Sequence, residues 1–291
     1  MKSLITLIGV VLWLSLSAQE IETHYEVYGE GFPILLINGG PGFSSEGFRG
    51  LAKKLAVKNS VIIYDQRGTG QTPLPDLNEE NITLDLMTQD IEKLRQNLEI
   101  DEWVVMGHSF GGMLGSYYVS KHPEKVTGLI LSSSGGLDLS ILGTSLINER
   151  LTSIQRDSLS FWSRKIREGD TTAFARLQRA TWLAPAYLEK KHHVPVVAER
   201  LTQGDLALNS LVWRNMRSID YDLKERMAMF EKPVLILHGV HDVVDPASAK
   251  EAHAIFPHSK LVMMPECSHY GWLDRPDLYF PAIFDFLDQF S

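Results

Sequence analysis

Cysteine is almost missing from this chain: Cys267 is the only one in 291 residues. No intramolecular disulfide can therefore form in any redox compartment, and stability must come from the core. Missing too is any lysine- or arginine-rich run, and the formal charge is -8, which argues against nucleic acid as a partner. The arginines between residues 150 and 217 are scattered among acids and read as a solvated helical surface. There is no internal repeat and no low-complexity tract. No apolar run reaches membrane-spanning length either. The longest, Leu4 to Leu16, has about 13 residues, the size of a signal-peptide apolar segment. Lys2 precedes it, and Ser15, Ser17 and Ala18 supply small residues for cleavage. Residues 1–19 are thus expected to be a signal peptide of an exported protein, periplasmic or secreted, with no stable membrane insertion once it is removed. An uncleaved N-terminal anchor is the alternative.

What the chain does have is alternation. Short apolar runs at Pro33 to Ile37, Val61 to Tyr64, Trp103 to Met106, Gly128 to Ser132, Val234 to Leu237 and Leu261 to Met264 read as buried strands. Helical patterns separate them, the clearest placing Leu84, Met87, Ile91, Leu94 and Leu98 on one face with Asp85 in the first turn. A last helix is expected over Leu278 to Phe290. Continuous apolar strands alternating with helices predict an α/β fold, a mostly parallel central sheet flanked by helices. One gap interrupts it. Between Ser132 and Val234 the text is helical and carries Trp162, Trp182 and Trp213. A structureless connection of that length does not suit a compact domain, so residues 137–228 are expected to form a helical cap inserted into a core of residues 20–136 and 229–291.

The most informative stretch is Gly107-His108-Ser109-Phe110-Gly111, preceded by a strand pattern and followed by a helical one. Strand, sharp turn and helix make a nucleophile elbow, with glycines where side chains would clash. A serine needs a histidine to take its proton and an acid to orient that histidine, in the chain order serine, acid, histidine. Asp242 follows the strand Val234 to Leu237, and His269 follows the strand Leu261 to Met264. Parallel sheets gather such loops at the carboxyl ends of their strands, so Ser109, Asp242 and His269 can converge.

Competing assignments exist for each. Asp245, before Pro246, and Asp138, at the cap entrance, are alternative acids. His238, His241, Asp242 and Asp245 offer zinc-ligating groups, but no third histidine stands at a fixed offset, and no metal or other cofactor is expected. His192-His193 reads as cap surface and Cys267 as a packing residue. The oxyanion of acyl transfer needs two backbone donors. Phe110, after the nucleophile, supplies one; the glycine-rich Asn38-Gly39-Gly40-Pro41-Gly42 supplies the other, at Gly40.

Taken together the chain resembles the α/β-hydrolase family, and within it the proline iminopeptidase group of serine peptidases. Asn38-Gly39-Gly40-Pro41-Gly42 is similar to that group's His-Gly-Gly-Pro-Gly loop, and Asp65-Gln66-Arg67-Gly68-Thr69-Gly70 matches its Asp-Gln-Arg-Gly-x-Gly segment. The resemblance implies Ser109 as nucleophile, His269 as base, Asp242 as its orienter, Gly40 and Phe110 as oxyanion hole, and release of N-terminal residues from short peptides. The chain departs from the group in three places. Asn38 replaces a histidine, His108-Ser109-Phe110 replaces glycine-serine-tryptophan as in general esterases and lactonases, and Val243 stands where some relatives carry an amine-binding glutamate. Cap acids available to bind an amine are Glu199, Asp205, Asp220 and Glu225. A carboxylesterase or lactonase with a small-molecule substrate is the alternative, and a non-catalytic binding protein on the same fold is a third.

Overall fold

The computed structural model describes residues 21–140 and 146–290, so the expected signal segment lies outside the described residues. Seven strands form one sheet: β1 (Tyr25–Tyr28), β2 (Phe32–Ile37), β3 (Asn59–Tyr64), β4 (Trp103–His108), β5 (Val126–Ser132), β6 (Val234–Gly239) and β7 (Ser259–Met264). Their order is β1-β3-β2-β4-β5-β6-β7, and every neighbouring pair is parallel except β1 with β3. The apolar runs account for six of these strands, each slightly longer than its run. β1 was not expected. It has only four residues, lies at the sheet edge, and leaves Tyr25 and Val27 exposed, so it carries no apolar run for the sequence to display.

Alternating side chains divide the core between the two faces of the sheet. On one face Leu35, Ile37, Val105, Leu129 and Ile236 pack against the helices Leu84–Asn97, Phe110–Lys121 and Ala247–Ile255. On the other, Ile34, Leu36, Val104, Ile130 and Leu235 meet the helices Arg49–Leu55 and Pro276–Leu287. The helix Leu84–Asn97 starts where Thr83 accepts the amide of Leu86, a side-chain cap, and its buried face includes Leu84, Met87, Ile91 and Leu94. The final helix begins earlier than its apolar pattern because Pro276 occupies its first turn, where a missing amide hydrogen costs nothing.

Between β5 and β6 the described residues hold no strand. They form the helices Ser153–Arg167, Ala173–Leu183, Val194–Leu201 and Leu206–Ser218 with shorter turns. At the base of this excursion the amide of Leu223 donates to Leu137 O at 2.8 Å, and Lys224 contacts the carboxylate of Asp138. Asp138 is thereby committed to a structural pair. One expectation fails here: the arginines of residues 150 to 217 are not uniformly a solvated surface. Arg200 is buried, and Arg150 reaches inward to Ala186 O and Glu189. Their inward placement depends on rings and carbonyls far away in sequence. No helix among the described residues is long and apolar enough to cross a membrane.

Candidate active site

The site lies at the carboxyl ends of β2, β4, β6 and β7, where the parallel topology delivers four loops to one edge. β4 runs into Ser109, which adopts φ 55° and ψ -123° before the helix starts at Phe110. A non-glycine residue in this region is strained, and the surroundings must enforce it. They do so by close approach. A Cβ on Gly107 would sit 2.2 Å from Gly111 O, and one on Gly111 would sit 2.2 Å from Ile37 O, so strand and helix meet only because both residues lack side chains.

The loops after β6 and β7 are tied side by side, Val240 donating to Met264 O and His241 to Cys267 O, each at 2.9 Å. This brings Asp242 Oδ1 to 2.7 Å from His269 Nδ1, both groups buried. The carboxylate also accepts the amide of Val244 at 3.0 Å. Burial alone would raise the Asp242 carboxyl. The charges of His269 and His238, with the bonds from His269 and Val244, outweigh it and hold the carboxyl well below the ordinary range. A carboxylate on Nδ1 fixes the proton there and leaves Nε2 of His269 as the basic nitrogen. Asp242 thus stands where an orienting acid is needed. Asp245 instead caps its own turn, accepting from Ala247 at 2.8 Å.

The ring of His108, immediately before the serine, lies 4.6 Å from that of His269. Its complete burial, together with the nearby charges of His269 and Arg200, lowers its pKa far below the usual value, so it stays neutral. The serine and histidine loops therefore meet.

The loop after β2 lies against the elbow. A Cβ on Gly39 would stand 2.8 Å from both His108 O and Ser109 Cβ. Gly40 is the next residue of that loop, and Phe110, which follows the serine and is first in its helix, has no acceptor within that helix. Asn38 braces the loop through Phe43 O at 3.0 Å, and Gln66 holds Asn38 O at 2.9 Å. The rest of the Asp65–Gly70 motif is scaffold as well. Asp65 accepts the amide of Ser45 at 2.7 Å, and Arg67 forms a buried two-pronged pair with Asp90 at 2.7 and 2.8 Å.

The remaining candidates lie elsewhere. Glu199, Asp205, Asp220 and Glu225 are all exposed, and Asp205 is engaged as the cap of the helix Leu206–Ser218. Nε2 of His238 donates to Val244 O at 3.1 Å, while His241 is half exposed beside Glu189. Among the described residues no group of three or more His, Cys, Asp and Glu is placed to hold a metal. Cys267 is buried with its thiol pushed up by burial and by the nearby charges of Asp274 and Asp242, which suits packing rather than attack. The rings of His192 and His193 lie 4.0 Å apart, tilted by 42°, with His192 exposed.

Two residues carry more than their sequence context suggested. Asp274, fully buried, accepts the amides of Glu189, Lys190 and Ser268 at 2.8 to 3.0 Å, fastening the loop of His269 to the excursion. Arg200 lies over the ring of Phe48, 4.4 Å from its centroid, and donates to Gly39 O at 3.3 Å.

A family model described as alpha/beta hydrolase fold matches residues 33–276. A proline iminopeptidase of Lactobacillus acidophilus is 27% identical, the match covering 92% of this chain and 94% of that protein. Among solved structures, a meta-cleavage product hydrolase from Pseudomonas fluorescens IP01 superposes with a TM-score of 0.74 at 21% identity, covering 93% of this chain and 96% of that one. An esterase from Exiguobacterium antarcticum gives 0.71 at 18%, with 92% and 96% covered. At these identities the two superpositions speak for the fold alone.

Proposed function

The chain belongs to the α/β-hydrolase family, and from that premise we propose that Ser109, His269 and Asp242 act as the triad of a serine hydrolase working through an acyl-enzyme. The observation that carries this reading is the buried pair of His269 Nδ1 and Asp242 Oδ1 at 2.7 Å, with the His269 ring 4.6 Å from that of His108, the residue before the serine on its strained turn. In the reaction Ser109 Oγ forms a bond to the substrate carbonyl carbon as its proton passes to His269 Nε2. The oxyanion is received by the amides of Gly40 and Phe110. Collapse breaks the bond to the leaving group, which departs with the proton from His269. Water then adds by the same route in reverse and releases the acid, freeing the serine.

For the substrate, the curated relative's name supports a peptide whose N-terminal residue, proline above all, is released. On this reading residues 1–19 direct export. A second reading, a carboxylesterase or lactonase, is favoured by one observation: the four cap acids are exposed and none stands buried beside Ser109 to receive an ammonium group. Two measurements test the proposal. A fluorophosphonate should label the wild type and not Ser109→Ala; absence of labelling in an active wild type would sink the acyl-enzyme. A free proline arylamide should be cleaved orders of magnitude better than its N-acetyl form, because a site built around a charge rejects an analogue lacking it. Turnover of a p-nitrophenyl ester with no arylamide cleavage would replace the peptidase by the esterase.

A further inference from the structure

We infer that Arg200 is a carboxylate-binding, specificity-determining residue of this site, so that the favoured substrate carries a carboxylate group near the scissile bond. The inference rests on Ser109 being the reacting centre.

The argument begins with burial. Arg200, in the last turn of the helix Val194–Leu201, is only 7% exposed, yet no carboxylate of the described residues pairs with it. A guanidinium carries five N–H donors in a fixed plane. One nitrogen, Nη2, donates to Gly39 O at 3.3 Å, while Nη1 is buried without any protein acceptor. A buried cation left unpaired is costly, and it persists where a ligand completes it or a function demands it.

The surroundings are aromatic and hold no counter-charge. The central carbon of the guanidinium lies over the ring of Phe48 at 4.4 Å and over that of Phe43 at 5.3 Å, and Nη1 lies so close to Gly47 that a Cβ there would stand 2.6 Å from it. A carboxylate is the group that pairs with a guanidinium through two parallel bonds. Position links the group to the chemistry. Gly39, whose carbonyl Arg200 holds, packs directly on Ser109, and the ring of Phe48 is tilted against that of His108, with centroids 5.7 Å apart. The charge of Arg200 reaches His108 and helps keep it neutral. Two kinds of substrate offer the matching group: a dipeptide, through the terminal carboxylate of its leaving residue, or a half-ester of a dicarboxylic acid, through its acyl chain.

Matched pairs decide the matter. Prolylglycine is compared with prolylglycinamide, and the p-nitrophenyl half-ester of glutaric acid with p-nitrophenyl valerate. The expected result is a kcat/KM higher by about tenfold or more for the carboxylate member of at least one pair, as charge-assisted recognition gives. Arg200→Gln should bring that ratio close to one, and Arg200→Lys, which keeps the charge but loses the fork, should give an intermediate ratio. The pair that shows the preference identifies which side of the scissile bond bears the carboxylate. Turnover of the neutral members with no preference in the wild type, or a preference that survives Arg200→Gln, would overturn the inference while leaving the serine hydrolase intact. Failure of fluorophosphonate labelling would instead count against the triad. Binding still reads Arg200 in that case: glutarate or prolylglycine should raise the melting temperature of Ser109→Ala and not of Ser109→Ala with Arg200→Gln. Absence of that shift overturns the inference on its own.

Discussion

The Asp274 carboxylate accepts the Ser268 amide at 2.9 Å, one residue before His269, and the amide of Lys190 at 2.8 Å. One buried side chain thereby sets the distance between the histidine loop and residues 186–190, where Tyr187 O also accepts the amide of His269 at 3.2 Å. Asp274→Asn keeps the volume but turns an amide donor toward backbone donors. It should cost about 2–3 kcal/mol in urea denaturation. Fluorophosphonate labelling should slow by about tenfold or more, since displacement of a catalytic group is felt strongly in rate. Normal labelling in a destabilised variant would limit Asp274 to stability.

Asp242→Asn should lower kcat by roughly 10⁴-fold, because an amide favours the wrong tautomer of His269 and cannot stabilise its charged form. Asp245→Asn, which touches only its own turn, should change kcat little. The reverse order in steady-state kinetics would transfer the orienting role to Asp245.

The positions of Ser109, Asp242 and His269 on loops after strands could be read from the chain because each follows a strand whose apolar run is unbroken, and Gly107 and Gly111 mark the sharp turn around Ser109. Arg200 and Asp274 could not. Arg200 sits in a helix with charged neighbours, and its burial comes from Phe43 and Phe48, more than a hundred residues earlier. Asp274 looks like a surface acid before Arg275, and only the arrival of the amides of Glu189 and Lys190 makes it internal. The Asp65–Gly70 segment showed the opposite: it was legible as a motif, but its side chains serve the scaffold, with Arg67 held by Asp90.

Gly39→Ala should reduce activity severely. The new methyl would meet His108 O and Ser109 Cβ at 2.8 Å, and a backbone carbonyl cannot step aside as a flexible side chain can. Overpacking of this kind costs about 1–3 kcal/mol, so the protein should still fold. Thermal melting with labelling kinetics on the same sample checks both halves of the expectation.

Acid stability should depend on Glu92. Burial would raise its carboxyl, but bonds from Arg95, Tyr118 and Gln96 prevail and lower it from 4.5 to about 2. A folded-state pKa below the unfolded one contributes stability that is complete above 4.5 and is lost as pH falls through about 2. Glu92→Gln should be less stable than wild type by about 1–2 kcal/mol at neutral pH. That difference should shrink across the same acid window, measured as urea midpoints at several pH values. A gap that stays constant down to the acid limit would show that the charge of Glu92 is not what stabilises the fold.

The excursion between β5 and β6 leaves and re-enters the sheet at neighbouring strands, with Ser132 opposite Leu237, and Leu137 and Leu223 close it like a wrist. Topologically it is detachable, and a chimera that exchanged it for another covering would leave the sheet register untouched. The anchorage of Asp274 makes such grafts conditional. Residues 186–190 and Asp274 sit on opposite sides of the splice, yet their bonds tie them together as a single fitting for the histidine loop. Coverings that travel between relatives without a matching acid at this position should yield folded proteins with a displaced His269 loop. Co-inheritance of the two, more than the identity of the exchanged helices, should therefore decide which recombinants of this architecture stay active.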